Sequence, residues 1–226
     1  MSTRRHVLEL NKSLIENELV IFTWGNASAR TDQNQMLIKP SGVPFKSLNE
    51  GLISQMDINT GKLIHGPKPS VDSPTHLEIY RSFDGVNSVI HTHSKYCTIF
   101  AQAKVSIPCL GTTHSDYFYG NIPVIEDFSF EEVQDYEKSA GKKIVAHFKN
   151  NGISYKQMKA ALLPSHGVFV WGENTADALE NAIVLENVAE MAYKTLILTS
   201  GDVDFDLALL DKHYYRKHGD NKYYGQ

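Results

Sequence analysis

Val89-Ile90-His91-Thr92-His93 closes a short apolar run with two imidazoles two residues apart. If that run is a strand, residues i and i+2 share a face, so both rings point the same way and supply half of a metal site. A third imidazole lies far along the chain in a similar setting, Leu162-Leu163-Pro164-Ser165-His166-Gly167, and Asp72 offers a carboxylate where a helix opens. Zinc takes imidazole nitrogen and carboxylate oxygen, and at catalytic sites it keeps one position open for substrate. Manganese or iron would accept the same ligands. The competing reading of these residues is a set of buried imidazoles satisfied by backbone groups.

Three further constellations carry chemistry. Gly25-Asn26-Ala27-Ser28, Lys39-Pro40-Ser41-Gly42 and Pro69-Ser70 set small polar residues beside turn residues. Hydroxyls, exposed backbone N–H groups and one ammonium are what a phosphate dianion needs, although each stretch also reads as an ordinary turn. No Walker loop is present and no G-x-G-x-x-G follows a strand, so a nucleotide is not indicated. The loop Gly111-Thr112-Thr113-His114-Ser115-Asp116-Tyr117-Phe118-Tyr119-Gly120 is dense in hydroxyls, and Asp116 there could serve as a general acid or base or could simply cap a turn. The tail carries Asp211-Lys212-His213-Tyr214-Tyr215-Arg216-Lys217-His218-Gly219 and then Tyr223-Tyr224-Gly225-Gln226. Termini usually fray, but one this aromatic is expected to pack onto something, a neighbouring subunit included. Once docked, Tyr224 could exchange a proton with a substrate oxygen.

These groups need elements to position them. Residues 4–18 read as an opening helix, with Val7, Leu8, Leu14 and Ile15 at helical spacing. Segments 26–30 and 36–39 read as strands around a polar turn, and 54–58 and 62–65 as strands around Asn59-Thr60-Gly61. Ser73-Pro74 reads as an N-cap with proline first in the helix. Strand 87–91 and a helix over 94–103 follow. Ser129 and Glu132 form a capping-box pattern ahead of one long helix to about residue 150. Strand candidates 160–163 and 168–171 flank Ser165-His166-Gly167. Asn174 caps a helix to about residue 199, with an apolar seam at Ala178, Ala182, Leu185, Ala189, Ala192 and Leu196. The expectation is an α/β protein: a three-layer sandwich whose central sheet, largely antiparallel, is flanked by helices.

Composition narrows the partners. The chain has 226 residues, enough for a sizeable core, and is expected to form a single domain. Its 22 basic against 26 acidic side chains give a net charge of −4, with no basic stripe interleaved with aromatics, so nucleic acid is not an expected partner. No segment approaches the ~20 apolar residues of a membrane span, and residues 1–10 lack a signal-peptide core. Cys97 and Cys109 share no ligand spacing and read as free buried thiols, which points to a cytoplasmic protein.

Together, Gly25–Ser28, Ile38–Val43, Pro69–His76, Val89–Ser94, Gly111–Gly120, Ser165–Gly167 and the tail motifs resemble the class II aldolase/epimerase (adducin-like) family across nearly the whole chain. The loop 111–120 and the Tyr-Tyr-Gly-Gln terminus look like its epimerase branch. The resemblance implies one Zn2+ per subunit, with Mn2+ or another divalent ion as substitute, held by Asp72, His91, His93 and His166. It implies a substrate pocket from Asn26, Lys39, Ser41, Gly42 and Ser70, with His213 lining the same site. Asp116 and Tyr224 are implied as the acid/base pair, Tyr224 arriving from a neighbour in a homotetramer. The implied substrate is a phosphorylated ketopentose inverted at C4, and the alternative is a sugar-phosphate aldolase. A non-catalytic scaffold like the adducin head would have lost the ligands that this chain keeps. One departure stands out: Val71 occupies a position where the family usually has a second serine.

Overall fold

The computed structural model describes residues 3–220 and 222–224. Its centre is a seven-stranded sheet in the order β4-β3-β2-β1-β5-β7-β6. The strands are β1 (Asn26–Arg30), β2 (Gln35–Ile38), β3 (Ser54–Asp57), β4 (Leu63–His65), β5 (Ser88–Thr92), β6 (Ala160–Leu162) and β7 (Val168–Gly172). Every pairing between them is antiparallel. At the β3–β4 turn, the Asp57 carboxylate accepts from the Thr60 amide and hydroxyl, and Gly61 adopts φ +71°. A side chain with a Cβ is disfavoured at that angle.

Helices cover both faces. The first, α1 (Thr3–Glu16), lays Val7 and Leu8 against Ala29, Leu37 and Ile53. Buried Asn11 replaces a missing strand partner: its side chain accepts from the Ala27 N–H (2.9 Å) and donates to the Ala27 carbonyl (3.0 Å). Removing it would strand two buried backbone groups at about 1–3 kcal/mol each. On the opposite face lies α2 (Ser73–Ser82), where His76 bonds the Ser28 hydroxyl (2.8 Å) and meets the ring of Phe169. Its N-cap is Asp72, one residue earlier than the sequence suggests, because the Ser73 hydroxyl donates instead to the Ser70 carbonyl (2.6 Å). Then come α3 (Lys95–Ala103) and the short α4 (Thr112–Ser115).

The capping box at Ser129 and Glu132 is formed, but the single helix expected after it is two: α5 (Phe130–Gln134) and α6 (Tyr136–Asn150). The break falls at Asp135, with φ −129° and ψ 58°. Neither proline nor glycine causes it. Beyond the break, Tyr136 packs on Phe128 and stacks on His166, and continuous helix geometry gives way to those contacts. The longest helix, α7 (Thr175–Leu198), is capped by Asn174, which accepts from the amides of Ala176 and Asp177. Its Ala178, Ala182, Leu185, Ala189 and Ala192 are buried as the seam required. Last is α8 (Leu207–His218). Cys97 and Cys109 are free and buried. Among the described residues, no helix is long and apolar enough to cross a membrane.

Candidate metal centre

Register places the site. Asn26 of β1 pairs with His91 of β5, which pairs with Phe169 of β7, so the three form one row across the sheet. The Phe169 ring stacks on His91 at 4.4 Å. His91 is the penultimate residue of β5, and His93 follows just past the strand end on the same side. Their Nε2 atoms stand 3.1 Å apart. His166 Nε2 lies 3.2 Å from His91 Nε2.

His166 arrives by a tight turn. Ser165 sits in the left-handed region at φ 59°, an unusual choice for a residue with a Cβ, and its amide donates to the Ala101 carbonyl (2.8 Å). Gly167 follows for a steric reason. A Cβ there would fall 2.5 Å from the Thr92 carbonyl oxygen and 3.1 Å from the His93 ring. Gly25 is excluded from substitution on the other side, since its Cβ would meet the His91 carbonyl at 2.7 Å.

The chemistry of this donor set fits a cation. His91 Nδ1 bonds the Val168 carbonyl (3.0 Å), which puts its proton on Nδ1 and leaves Nε2 as a bare lone pair. His166 Nδ1 bonds the Tyr136 hydroxyl (2.8 Å), leaving its Nε2 turned inward. Burial, reinforced by His91, pushes His93 down to about 4 and His166 down to about 3. Both rings are therefore neutral near neutral pH, as ligands must be. Three nitrogens within 4.8 Å of one another can hold a divalent metal.

Asp72 lines the same cavity but stands outside that cluster of three. Its Oδ2 accepts from Asn26 Nδ2 (2.6 Å) and from the Ser70 hydroxyl (3.3 Å). Burial opposes its charge, yet His91, His76 and the Asn26 amide together hold its carboxyl below the usual range.

The cavity is about 320 Å³. Besides the imidazoles and Asp72 it is lined by Asn26, Lys39, Ser41, Gly42, Ser70 and Val71, so these three turns open onto the same cavity as the imidazoles. Lys39 is buried, with its ammonium 4.7 Å from the Phe45 ring centre and only a long 3.4 Å contact to the Pro40 carbonyl. Burial lowers its proton affinity while Asp72 opposes the shift. Asn26 Oδ1 is buried without a partner among the described residues. The Ser41 and Ser70 amides donate to the Lys68 and Lys39 carbonyls, stitching the two loops together. Val71 is exposed on the cavity rim.

Asp116, His213 and Tyr224 lie elsewhere, and none of them lines this cavity. They gather around Arg216, whose Nε and Nη2 donate to the two Asp116 oxygens at 3.0 and 2.8 Å. His213 Nδ1 is 3.5 Å from Asp116 Oδ1. The Arg216 guanidinium lies 4.1 Å from the Tyr224 ring centre. Gly225 and Gln226 of the terminal motif fall outside the described residues.

Sequence reasoning missed two residues, Tyr136 and Glu137. Both sit at the start of α6, and Glu137 lines the cavity. Read as the interior of one long helix, they carried no signal. Tyr136→Phe keeps the ring but loses the bond that orients His166. Loss of such an outer partner costs roughly 10- to 100-fold in metal affinity, and a competition titration against a chromogenic chelator should show it. Unchanged affinity would mean that ring stacking alone orients His166.

Acid sensitivity follows from the buried imidazoles. Burial holds His76 at about 3 and His114 at about 4, alongside the depressed His93 and His166. In the unfolded chain all four titrate near ~6.5. Below that pH the unfolded state binds more protons, so stability is full above it and is lost as pH falls toward the folded values. The thermal midpoint of chelator-treated protein should fall steadily from pH 6.5 to 4.5. A flat midpoint across that window would show these rings to be protonated in the fold.

An antiparallel sheet between helical layers, with three imidazoles converging at one strand end, defines a protein with a candidate metal site. Residues 5–193 match the model of the class II aldolase and adducin N-terminal domain, and the chain belongs to that family. Solved structures agree in fold. An L-fuculose 1-phosphate aldolase is 24% identical, with a TM-score of 0.77 and 92% of each chain covered. YgbL of Escherichia coli, a candidate aldolase/epimerase/decarboxylase, is 22% identical, with a TM-score of 0.72, over 92% of this chain and 96% of that one. L-fuculose-1-phosphate aldolase from Thermus thermophilus is 20% identical, with a TM-score of 0.69, over 90% and 98%.

Proposed function

We propose that the protein is a zinc-dependent L-ribulose-5-phosphate 4-epimerase, a step of L-arabinose catabolism, which interconverts that substrate with D-xylulose 5-phosphate. One observation carries the reading: a single cavity holds three converging imidazoles and, beside them, the Lys39 ammonium with the serine-bearing loops. Such a cavity suits a molecule with oxygens to chelate and a phosphate to anchor. His91, His93 and His166 would hold the metal, with Asp72 as the fourth ligand. When bound, the ion supplies Lewis-acid stabilisation of negative charge on neighbouring carbonyl and hydroxyl oxygens.

The residues of the chain do the rest. C4 of the sugar bears no acidic proton, so inversion requires the C3–C4 bond to break and re-form. One of Asp116 and Tyr224, presented by a neighbouring subunit of a homotetramer, takes the C4 hydroxyl proton as that bond opens. The products of cleavage are a dihydroxyacetone enediolate and glycolaldehyde phosphate. Lys39, Ser41, Gly42 and Ser70 keep the aldehyde by its phosphate while its carbonyl turns to the other face. The second acid/base group then protonates the new C4 oxygen, with His213 beside it. Holding both fragments converts re-addition into an intramolecular step, which is the gain such an anchor brings. Val71 leaves the phosphate one hydroxyl fewer.

The named structural relatives favour a second reading, an aldolase that releases its fragments. The deciding experiment incubates zinc-loaded protein with L-ribulose 5-phosphate and follows both D-xylulose 5-phosphate and free glycolaldehyde phosphate. Xylulose phosphate without free aldehyde, abolished by chelation, is the expected result. Accumulating aldehyde would make the protein an aldolase, and neither product would sink the proposal.

A further inference from the structure

Arg216 touches both proposed acid/base residues at once. Its guanidinium makes two parallel bonds to Asp116, from Nε at 3.0 Å and Nη2 at 2.8 Å. The same group lies against the face of Tyr224, at 4.1 Å from the ring centre. Its own backbone carbonyl accepts from the amides of Tyr223 (2.9 Å) and Tyr224 (3.1 Å), so it also fixes the chain that carries the ring. From beneath, His218 Nε2 bonds the Asp116 carbonyl at 2.8 Å.

Contacts other than these also hold α8 in place. Leu210 and Tyr214 are buried, Tyr119 donates to Asp211 (2.6 Å), and Lys217 pairs with Glu180 (3.8 Å). With α8 anchored at these other points as well, the Arg216 fork can serve Asp116 and Tyr224. A bidentate guanidinium fixes a carboxylate in plane, while a cation over a phenol face holds the ring without engaging its hydroxyl.

The geometry points to Arg216 as a positioning residue that presents Asp116 as an oriented carboxylate base and Tyr224 as the paired hydroxyl acid, from one subunit and as one unit. The inference rests on the acid/base reading above and deepens it by dividing the roles. Asp116 accepts the C4 hydroxyl proton when the C3–C4 bond breaks, and Tyr224 gives its proton to the C4 oxygen when the bond re-forms on the other face. The proton on Asp116 returns to the Tyr224 oxygen through solvent between turnovers. The catalytic groups are Asp116 and Tyr224; Arg216 acts through them.

The test uses full-length zinc-loaded protein and compares Arg216→Ala, Arg216→Lys, Asp116→Asn, Tyr224→Phe and the double variant Arg216→Ala/Asp116→Asn. Arg216→Ala should lose about 100-fold in kcat, the lower end of the general acid–base range, with KM within threefold and zinc content full. Arg216→Lys should lose nearly as much, because an ammonium cannot make the fork. Added guanidinium ion should restore at least about tenfold to Arg216→Ala, and the double variant should be no slower than Asp116→Asn alone, as for residues acting as one unit.

If Asp116→Asn and Tyr224→Phe are slow but either Arg216 variant keeps its rate, the clamp is overturned while the acid/base reading stands. If Asp116→Asn and Tyr224→Phe keep the wild-type rate, the acid/base reading falls and takes the clamp with it. Loss of zinc or of folded protein in Arg216→Ala, with Arg216→Lys fully active, would make the residue purely structural.

Discussion

His91→Asn should yield a folded protein that binds almost no zinc and shows no measurable turnover at stoichiometric metal. Its ring is buried and central: Nε2 approaches both His93 (3.1 Å) and His166 (3.2 Å), so it is the nitrogen shared by both short contacts. An asparagine side chain is too short to bring a nitrogen to that point, although its amide can still serve the Val168 carbonyl that His91 Nδ1 meets now. Affinity should drop well beyond the ~100-fold typical of losing an outer partner. Losing the several kcal/mol of charge stabilisation that a metal supplies should cost on the order of a thousandfold in rate or more. Metal content by elemental analysis and turnover on the same sample check it together. Full activity in metal-free buffer would remove His91 from the site.

Tyr224→Phe should separate chemistry from architecture. The ring is half exposed and its face carries the Arg216 guanidinium, a contact that phenylalanine preserves. Stability and zinc content should therefore match the parent protein. Only the proton-bearing oxygen is lost, and removal of a positioned general acid typically slows a reaction roughly 100- to 10,000-fold. Steady-state epimerisation beside a thermal melt checks both halves. A parental rate would reduce the aromatic tail to a packing element.

The same contrast runs through the pH behaviour and the Tyr136 prediction, since both trace to burial that the fold imposes. His93 and His166 are ordinary histidines in the sequence. They become obligate neutral donors only where the strand end, the 163–167 turn and α6 close around them.

Much of this protein was written in local pattern. Two-residue spacing put His91 and His93 on one side at the end of β5, and apolar runs bounded by polar turns marked the strands to within a residue or two at each end. Side-chain period follows backbone geometry, so these features need no partner to be read. The Asn174 cap and the α7 seam were legible for the same reason. Other features depend on what packs against what. That Asn26 and His91 share a row is a matter of strand register, and that Asp72 faces Asn26 and Ser70 depends on where two loops are stitched. The break at Asp135, which brings Tyr136 onto His166 and Glu137 to the cavity, has no proline or glycine to mark it, because Tyr136 there stacks on His166 from far along the chain. The gathering of Asp116, His213 and Tyr224 about Arg216, apart from the imidazoles, is likewise decided by where α8 docks. Sequence alone determined which chemistry-bearing residues exist and which face of their own element they occupy; tertiary structure decided which of them meet, since contacts between residues far apart in the chain are set by packing and not by period.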